Sequence, residues 1–281
     1  MSVAEPVVTV AIPSYQSEQF IAQAVSSALD QDFADLEVLV VDDASTDGTL
    51  DVLARFDDPR LRVLRNDTNL GAGRNWNRAM TEARGRYVKM MGGDDVLLPG
   101  SISAEVAVLD ADAGVVLVTG PRRLVTANGR RIMRRGNGAL SGRVNGRDAG
   151  REMLRRGSNL VGEPCAALMR MATVREVGMF DESAPYCIDW DMWLRLLEAG
   201  DLYVLEEPVA LYRIVDTSWS AAVADTQDRD VAELLRSSVE RGCFGVTTRE
   251  LATAERRARL LSRGRRVVYR VLFGSGRKAK R

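Results

Sequence analysis

Val38-Leu39-Val40-Val41-Asp42-Asp43-Ala44-Ser45-Thr46-Asp47-Gly48-Thr49 runs four apolar residues into two carboxylates and a cluster of turn formers. The apolar run reads as a buried strand, so a polar site lies at its carboxyl end, where open α/β sheets bind ligands. A second carboxylate pair, Asp94-Asp95, follows another strand in the same way, behind Gly92-Gly93. Glycines there let a bulky ligand approach the backbone closely. Two acidic corners on one sheet predict a site for a metal and a phosphorylated ligand. Turn chemistry gives a second reading of each corner, because Asp and Ser also cap the helix that follows.

Working outward, strands are predicted at Val7–Ile12, Leu36–Val41, Leu61–Arg65 and Arg86–Met91, alternating with helices over Ser17–Leu29, Thr49–Phe56 and Ala72–Ala83. Ser17 is the expected N-cap of the first helix. This alternation implies an α/β fold with a mainly parallel sheet and right-handed crossovers. After Pro99 the pattern loosens. Helices are expected at Ser101–Leu109, Ala149–Arg156 and Trp190–Ala199 and from Thr173, and strands at Val115–Thr119, Ala166–Arg170, Leu202–Leu205 and Val209–Ile214. Arg122–Met133 resembles a hairpin turning at Asn128-Gly129. Gly136–Gly146, rich in glycine and arginine, is expected to be a mobile loop. The remainder is expected to be mostly helical and to end in a basic tail.

The chain has 281 residues, 46% of them hydrophobic, and a formal net charge of zero. That suits a soluble globular protein with a large core. No apolar run is long enough to cross a bilayer. Met1-Ser2-Val3-Ala4-Glu5-Pro6 has no basic region leading into an apolar one, so no leader is expected. Cys165, Cys187 and Cys243 are far apart and form no CxxC pair, which favours small buried thiols in a reducing compartment. There is no histidine. Ser-His-Asp triads, Cys-His dyads and histidine-ligated zinc are thereby excluded, and base work falls to Asp, Glu or a rarer group. Charge is unevenly spread: residues 1–58 hold one basic side chain, Arg55, whereas arginines dominate from Arg122 to Arg156 and from Arg256 to Arg281.

Adjacent carboxylates such as Asp94 and Asp95 repel, and a divalent cation relieves the repulsion; hard oxygen ligands suit Mg²⁺ or Mn²⁺. Asp189-Trp190-Asp191 opens an amphipathic helix, where carboxylates are favoured by capping and by the dipole. An aspartate there that reached the metal corner would be the natural base for an acceptor hydroxyl. Gly71-Ala72-Gly73-Arg74 begins like a GxGxxG fingerprint, but Trp76 replaces the third glycine, so only the helix N-terminus remains as an anion site. By spacing, Trp193 belongs to the core, while Trp190 is the better acceptor contact.

Together these segments resemble the family 2 glycosyltransferases. The resemblance is carried by Val10-Ala11-Ile12-Pro13-Ser14-Tyr15-Gln16, Ser26-Ser27-Ala28-Leu29-Asp30-Gln31, Val40–Asp47, Asn69-Leu70-Gly71-Ala72-Gly73-Arg74-Asn75 and Gly85-Arg86-Tyr87. Further along it continues through Val177-Gly178-Met179-Phe180-Asp181-Glu182, Asp189-Trp190-Asp191-Met192-Trp193-Leu194-Arg195 and Leu211-Tyr212-Arg213. In order, these span residues 7 to 220. The resemblance implies a GT-A fold, with residues 1–98 as the nucleotide-sugar-binding half and 99–220 as the acceptor-binding and catalytic half. A helical extension, 221–281, follows. It implies inverting transfer of a sugar from a nucleotide diphosphate sugar to the hydroxyl of a saccharide or lipid-linked acceptor, in cell-surface polysaccharide or glycolipid synthesis.

By position, Pro13, Tyr15, Asp42, Asp43 and Arg74 are implied on the donor side. Asp95 is implied as metal ligand, with Asp94 nearer the ribose or the metal's waters. Asp189 is implied as catalytic base, supported by Asp191. The chain departs from the family at three points: Gly92-Gly93-Asp94-Asp95 lacks the first acid of D-x-D-D, Ile188 replaces the acid before the base, and Ile214-Val215-Asp216 carries an aspartate where some relatives have a histidine. Asp216 could substitute for that histidine. Two alternatives remain open: a catalytically silent nucleotide-sugar binding module, and a sugar nucleotidyltransferase. The second needs a glycine-rich basic loop after the first strand, which Pro13–Glu18 lacks. The tail from Arg256 sets Leu260, Leu261, Val267, Val268, Val271, Leu272 and Phe273 among arginines. That reads as either a basic amphipathic helix on an anionic membrane or a disordered end with a short packing helix. A cytoplasmic location, peripheral on the inner membrane face, is the expectation, with no nucleic acid partner.

Overall fold

The computed structural model describes residues 5–215, 219, 223 and 226–273, with side chains to residue 264. In chain order the first half contains β1 (Val8–Ser14), α1 (Ile21–Leu29), β2 (Leu36–Asp42), α2 (Thr49–Leu53), β3 (Leu61–Arg65), α3 (Ala72–Glu82), β4 (Tyr87–Met90), β5 (Val96–Leu97) and α4 (Ser101–Ala111). Next come β6 (Val115–Thr119), β7 (Arg122–Thr126), β8 (Arg131–Arg135), β9 (Gly142–Val144), α5 (Gly146–Arg156), β10 (Ala167–Arg170), α6 (Met171–Val177) and α7 (Ile188–Ala199). β11 (Asp201–Val204), β12 (Ala210–Ile214), α8 (Gln227–Glu240) and α9 (Thr248–Phe273) complete the order.

All seven residues of β2 are buried, and in β1 only Pro13 is partly exposed. Such continuous burial belongs to a sheet covered on both faces. Successive residues divide between two cores, as the two-residue period of a strand requires. Ala11, Leu39, Val41, Val88 and Met90 pack with α3, α5 and α7, whereas Val10, Ile12, Val38 and Val40 pack with α1 and α4.

Among the described residues the main sheet has the order β3-β2-β1-β4-β10-β6-β11-β9. Its first four strands are parallel, β10 runs against both β4 and β6, β11 is parallel to β6, and β9 closes the edge antiparallel. A second sheet, β5-β12-β7-β8, stands beside it. The mixed α/β architecture with a mostly parallel sheet is the one expected from the sequence. The second sheet was not legible, because β5 is only two residues long and carries no periodicity.

Register fixes the site. Ser14 of β1 lies opposite Asp42 of β2, and the Asp43 amide donates to Ser14 O at 2.8 Å. The Met91 amide, one residue past β4, donates to Ala11 O at 2.9 Å. The loops leaving β1, β2 and β4 therefore emerge on one edge. The exits of β2 and β4 are separated by β1, about 10 Å in all at the usual strand spacing.

Two local expectations need correction. Ser17 does not cap α1 through its side chain: the helix starts at Ile21, and the Ser17 hydroxyl donates to Tyr15 O at 3.3 Å. The amide of Ser17 is instead held by Thr49 Oγ1, at 2.9 Å. The Gly136–Gly146 stretch is not a free loop. It carries β9, whose Arg143 pairs with Asp112 and Asp201 at 2.9 Å each, and Asn145 caps α5. Gly146 fits because a Cβ there would lie 2.0 Å from Gly200 O, so its glycine serves close helix packing rather than mobility.

Candidate active site

The corner after β2 is held by its own acids. Asp42 is fully buried, and its carboxylate accepts from the Ser45 amide at 2.9 Å and the Ser45 hydroxyl at 2.5 Å. The structure thus gives Asp42 to the turn rather than to a ligand. Asp43 faces the other way. It accepts from the Leu70 amide at 2.8 Å, the Gly71 amide at 3.0 Å and the side chain of Asn66. Asn66 also bonds Asn75, which donates to Val41 O at 2.9 Å. These contacts pin the 66–71 segment to the sheet edge, and Gly71, at φ +85°, supplies the backbone turn that starts α3. Tyr15 stands half exposed at the mouth, beside Gln16 and Ala44, both in the left-handed region at φ 51° and 60°. Arg74 is exposed on the first turn of α3, 3.9 Å from Glu182.

The corner after β4 is tighter. Gly92 leaves room for the Asp94 carboxylate, since a Cβ there would fall 2.7 Å from Asp94 Oδ1. Asp95 accepts from the Arg213 amide at 3.0 Å and from the Cys165 thiol. The Arg213 side chain donates to Asp94 O at 2.8 Å and to Gln23 at 2.7 Å, and its guanidinium lies 4.8 Å above the Phe20 ring. Burial pushes the Asp94 carboxyl up, and burial together with the charge of Asp94 pushes Asp95 well above the carboxylate range. Two acids that resist ionising together, with hard oxygen donors, fit a divalent cation. Among the described residues no group of three or more Asp, Glu, His or Cys forms a complete metal site. Asp94 and Asp95 would be the protein ligands of such a cation, which would draw the rest of its shell from outside the protein, as Mg²⁺ and Mn²⁺ commonly do.

Asp189 lies in the first turn of α7. Its Oδ2 accepts from Asn159 Nδ2 at 3.0 Å and its Oδ1 from the Trp190 amide at 2.7 Å. Burial, and then the negative charge of Glu163, raise its pKa to about 7. Glu163 itself is held down at about 2: burial opposes its ionisation, but Arg122 and Arg135 outweigh that. Arg122 Nε and Arg135 Nη1 both donate to it, the latter at 3.0 Å. Arg122 is completely buried against Gly162, where a Cβ would lie 2.4 Å from the guanidinium carbon. The charge of Glu163 acts on Asp95, Cys165 and Asp189 alike. Arg135 sits within reach of the charges of Glu163, Tyr186, Tyr212 and Asp189. Glu163 is therefore a buried anion whose charge reaches both Asp95 and Asp189, with two arginines of the β7–β8 hairpin fixed to it.

A family model described as glycosyl transferase family 2 matches residues 9–178. The chain belongs to glycosyl transferase family 2. It is 33% identical over 200 residues to chondroitin synthase of Escherichia coli, covering 69% of this chain and 27% of that one. The chain thus spans about a quarter of that relative's length. In fold it is similar to S. aureus TarS 1-349 in complex with UDP-GlcNAc, with TM-score 0.72, 22% identity and coverage of 92% of this chain and 74% of that one. It is also similar to the mannosyltransferase PcManGT from Pyrobaculum calidifontis in complex with GDP-Man and Mn²⁺, with TM-score 0.62, 17% identity and coverage of 96% and 83%. Both likenesses show the fold.

Within this family 2 glycosyltransferase, Tyr15, Asp43, Asp94 and Asp95 lie on the loops that leave one sheet edge, and Asp189 is joined to the Gly162–Cys165 segment beside Asp95 through Asn159. Asp191 bonds Arg195 at 2.8 Å, and Arg195 clamps the carbonyls of Val177, Gly178 and Met179. Its work is to fix α7 against the segment after α6. Trp193 is core, as expected, and donates to Gly162 O at 3.0 Å. Trp190 is 4% exposed, so its ring offers no face for stacking on an acceptor. Asp216 lies outside the described residues. The sequence reading missed Glu163, Arg122, Arg135, Arg213 and Asn66. For Arg213 the signal was present in Leu211-Tyr212-Arg213. For Glu163 only its place in Gly162-Glu163-Pro164, before a strand, marked it.

Proposed function

We propose that this family 2 glycosyltransferase transfers a sugar, with inversion, from a nucleotide diphosphate sugar to an acceptor hydroxyl in the synthesis of a cell-surface polysaccharide or glycolipid. The observation that carries the reading is that the short segment Gly162–Cys165 joins both acids: Asn159 bonds Gly162 O at 3.2 Å and Asp189 at 3.0 Å, and the Cys165 thiol donates to Asp95. The donors named for the fold neighbours, UDP-GlcNAc and GDP-Man, support a nucleotide-sugar donor, and the chondroitin synthase relative supports a polysaccharide product.

In this reading Pro13, Tyr15 and Asp43 receive the nucleoside, and Arg74 faces its charge from the start of α3. Asp94 and Asp95 would hold a divalent cation. When bound, the cation offsets the charge of the diphosphate. Asp189 takes the proton of the acceptor hydroxyl as that oxygen bonds to the anomeric carbon from the face opposite the nucleotide. The bond between the anomeric carbon and the diphosphate oxygen breaks, and the nucleoside diphosphate leaves with the electron pair. Holding both substrates side by side removes much of the entropic barrier.

The test is a panel of UDP-, GDP- and dTDP-sugars, each with Mn²⁺, read by thermal stabilisation, by nucleotide release with saccharide acceptors, and by NMR of the product's anomeric configuration. Stabilisation by one donor, release of its nucleoside diphosphate and an inverted linkage are expected. Binding without turnover would point to a silent module, and pyrophosphate release from a nucleoside triphosphate to a nucleotidyltransferase; either overturns the proposal.

A further inference from the structure

The strongest feature outside the cleft is the end of α9. One seam of this helix is buried: Ala254, Ala258 and Ser262 recur every four residues and are at most 6% exposed. The seam fits against Gly157 at the end of α5, where a Cβ would lie 2.4 Å from Ala254 O. Ion pairs fix the docking, from Arg155 to Glu250 at 3.0 Å and from Arg236 to Glu255 at 2.7 Å. The outward side is different. Leu260 and Leu261 are 65% and 45% exposed, among exposed Arg256, Arg257 and Arg263. Among the described residues these three arginines have no acidic partner. From residue 256 to 281 the sequence has arginines and lysines and not one aspartate or glutamate.

The contacts also say where this end points. Gly146, at the start of α5, packs on Leu197 O and Gly200 O at the end of α7. The end of α5 therefore lies toward the start of α7, where Asp189 sits. α9 runs along α5 in the same direction: Glu250 meets Arg151 and Arg155, and Ala254 and Ala258 lie against Gly157. Beyond residue 258 it passes the end of α5 on the Asp189 side. Ser262 there bonds Gln227 at the start of α8, and Asp230, one turn on, accepts from the amide of Tyr186, which lies in the field of Arg135. The exposed leucines and arginines thus share one end of the molecule with the catalytic mouth.

We infer that the outer face of α9 over Arg256–Arg263 docks the protein on an anionic membrane surface and so presents the mouth to a lipid-linked acceptor. Charge complementarity and paired exposed leucines favour a headgroup and acyl boundary over nucleic acid, which would leave the leucines unused. No helix among the described residues is long and apolar enough to cross a membrane. Only the acceptor class rests on the transferase reading; the docking does not.

The experiment is co-sedimentation of the full chain with vesicles of phosphatidylglycerol in phosphatidylcholine, with pure phosphatidylcholine vesicles and a DNA duplex as separate arms, without donor or acceptor. Binding to the anionic vesicles alone is expected, weakening as salt rises. Replacing Arg256, Arg257 and Arg263 by glutamine should lower it about a hundredfold. Leu260→Ser with Leu261→Ser should lower it about tenfold, with the circular dichroism melt and donor-sugar stabilisation of both variants unchanged. Equal binding to phosphatidylcholine, binding only to DNA, or full vesicle binding by the folded variants overturns the inference. None of these outcomes depends on turnover, so loss of the transferase reading would show separately in the donor panel.

Discussion

A carboxylate that must take a proton from a sugar hydroxyl works best with its pKa near the working pH, and burial has brought Asp189 to about 7. The first prediction is a pH profile: kcat/KM rises as the pH passes through about 7 and Asp189 ionises. The same shift bears on stability. The folded chain favours the protonated acid, so the contribution of Asp189 is fully present below its ordinary 3.8 and is lost as the pH rises through about 7. Asp189→Asn, which stays neutral, should therefore melt higher than the wild type by about 2–4 °C well above pH 7 and no higher near pH 4; differential scanning calorimetry at the two extremes checks this. At the β2 corner, Asp43→Ala removes three hydrogen bonds that hold residues 66–71. It should cost about 1–3 kcal/mol in urea unfolding and weaken donor binding. The place of Asp43 at a strand end was legible because an apolar run followed by acids is visible in one dimension. That Asp42 turns inward while Asp43 turns to the loop was not, because the two are chemically identical neighbours and only the Ser45 and Leu70 contacts separate them.

The β7–β8 hairpin shows where element-level reading stopped. The hairpin was legible from its turn chemistry, but the turn sits one residue earlier than Asn128-Gly129: Gly129 N donates to Thr126 O at 2.9 Å, so Ala127 and Asn128 are the central pair and Gly129, at φ +79°, follows them. Its arginines were legible only as a basic face. Their use depends on Glu163, from a different element, reaching Arg122 and Arg135 across the second sheet. No periodicity announces such a pair. Glu163→Gln tests the arrangement: it leaves Arg122 buried without a counter-charge, at a cost of about 3–5 kcal/mol. It also removes the anion that raises Asp189, so the rising limb of the kcat/KM profile should move below pH 7. A variant that merely loosened the fold would lose activity without moving that limb. The parallel strands were read nearly to the residue because both faces of β1 and β2 are buried. β9 was missed because an edge strand of three residues, rich in glycine and arginine, has the composition of a loop.

Across the whole molecule the main sheet is continuous, and β10 joins β4, which leads to Asp94 and Asp95, to β6, against which α7 with Asp189 packs. The alternation of the first half made that sheet legible, and the ordered resemblance from residue 7 to 220 made the family legible. The side-by-side placement of α5, α7 and α9 was not, since it rests on glycines that admit backbone contact. Gly157→Ala should disturb it. The position has φ +60° and faces Ala254 O, so the change should cost about 1–3 kcal/mol, with hydrogen exchange accelerating in α9 before it does in β1 and β2. The most direct test of the central claim, that Asp95 and Asp189 serve one site, measures donor affinity and transfer rate together on the wild type, Asp95→Asn and Asp189→Asn with Mn²⁺ present. Asp95→Asn should weaken donor binding about tenfold or more, while Asp189→Asn should bind donor normally and lose transfer by about 10²–10⁴-fold. Wild-type turnover by Asp189→Asn, or unchanged donor affinity in Asp95→Asn, would contradict the claim.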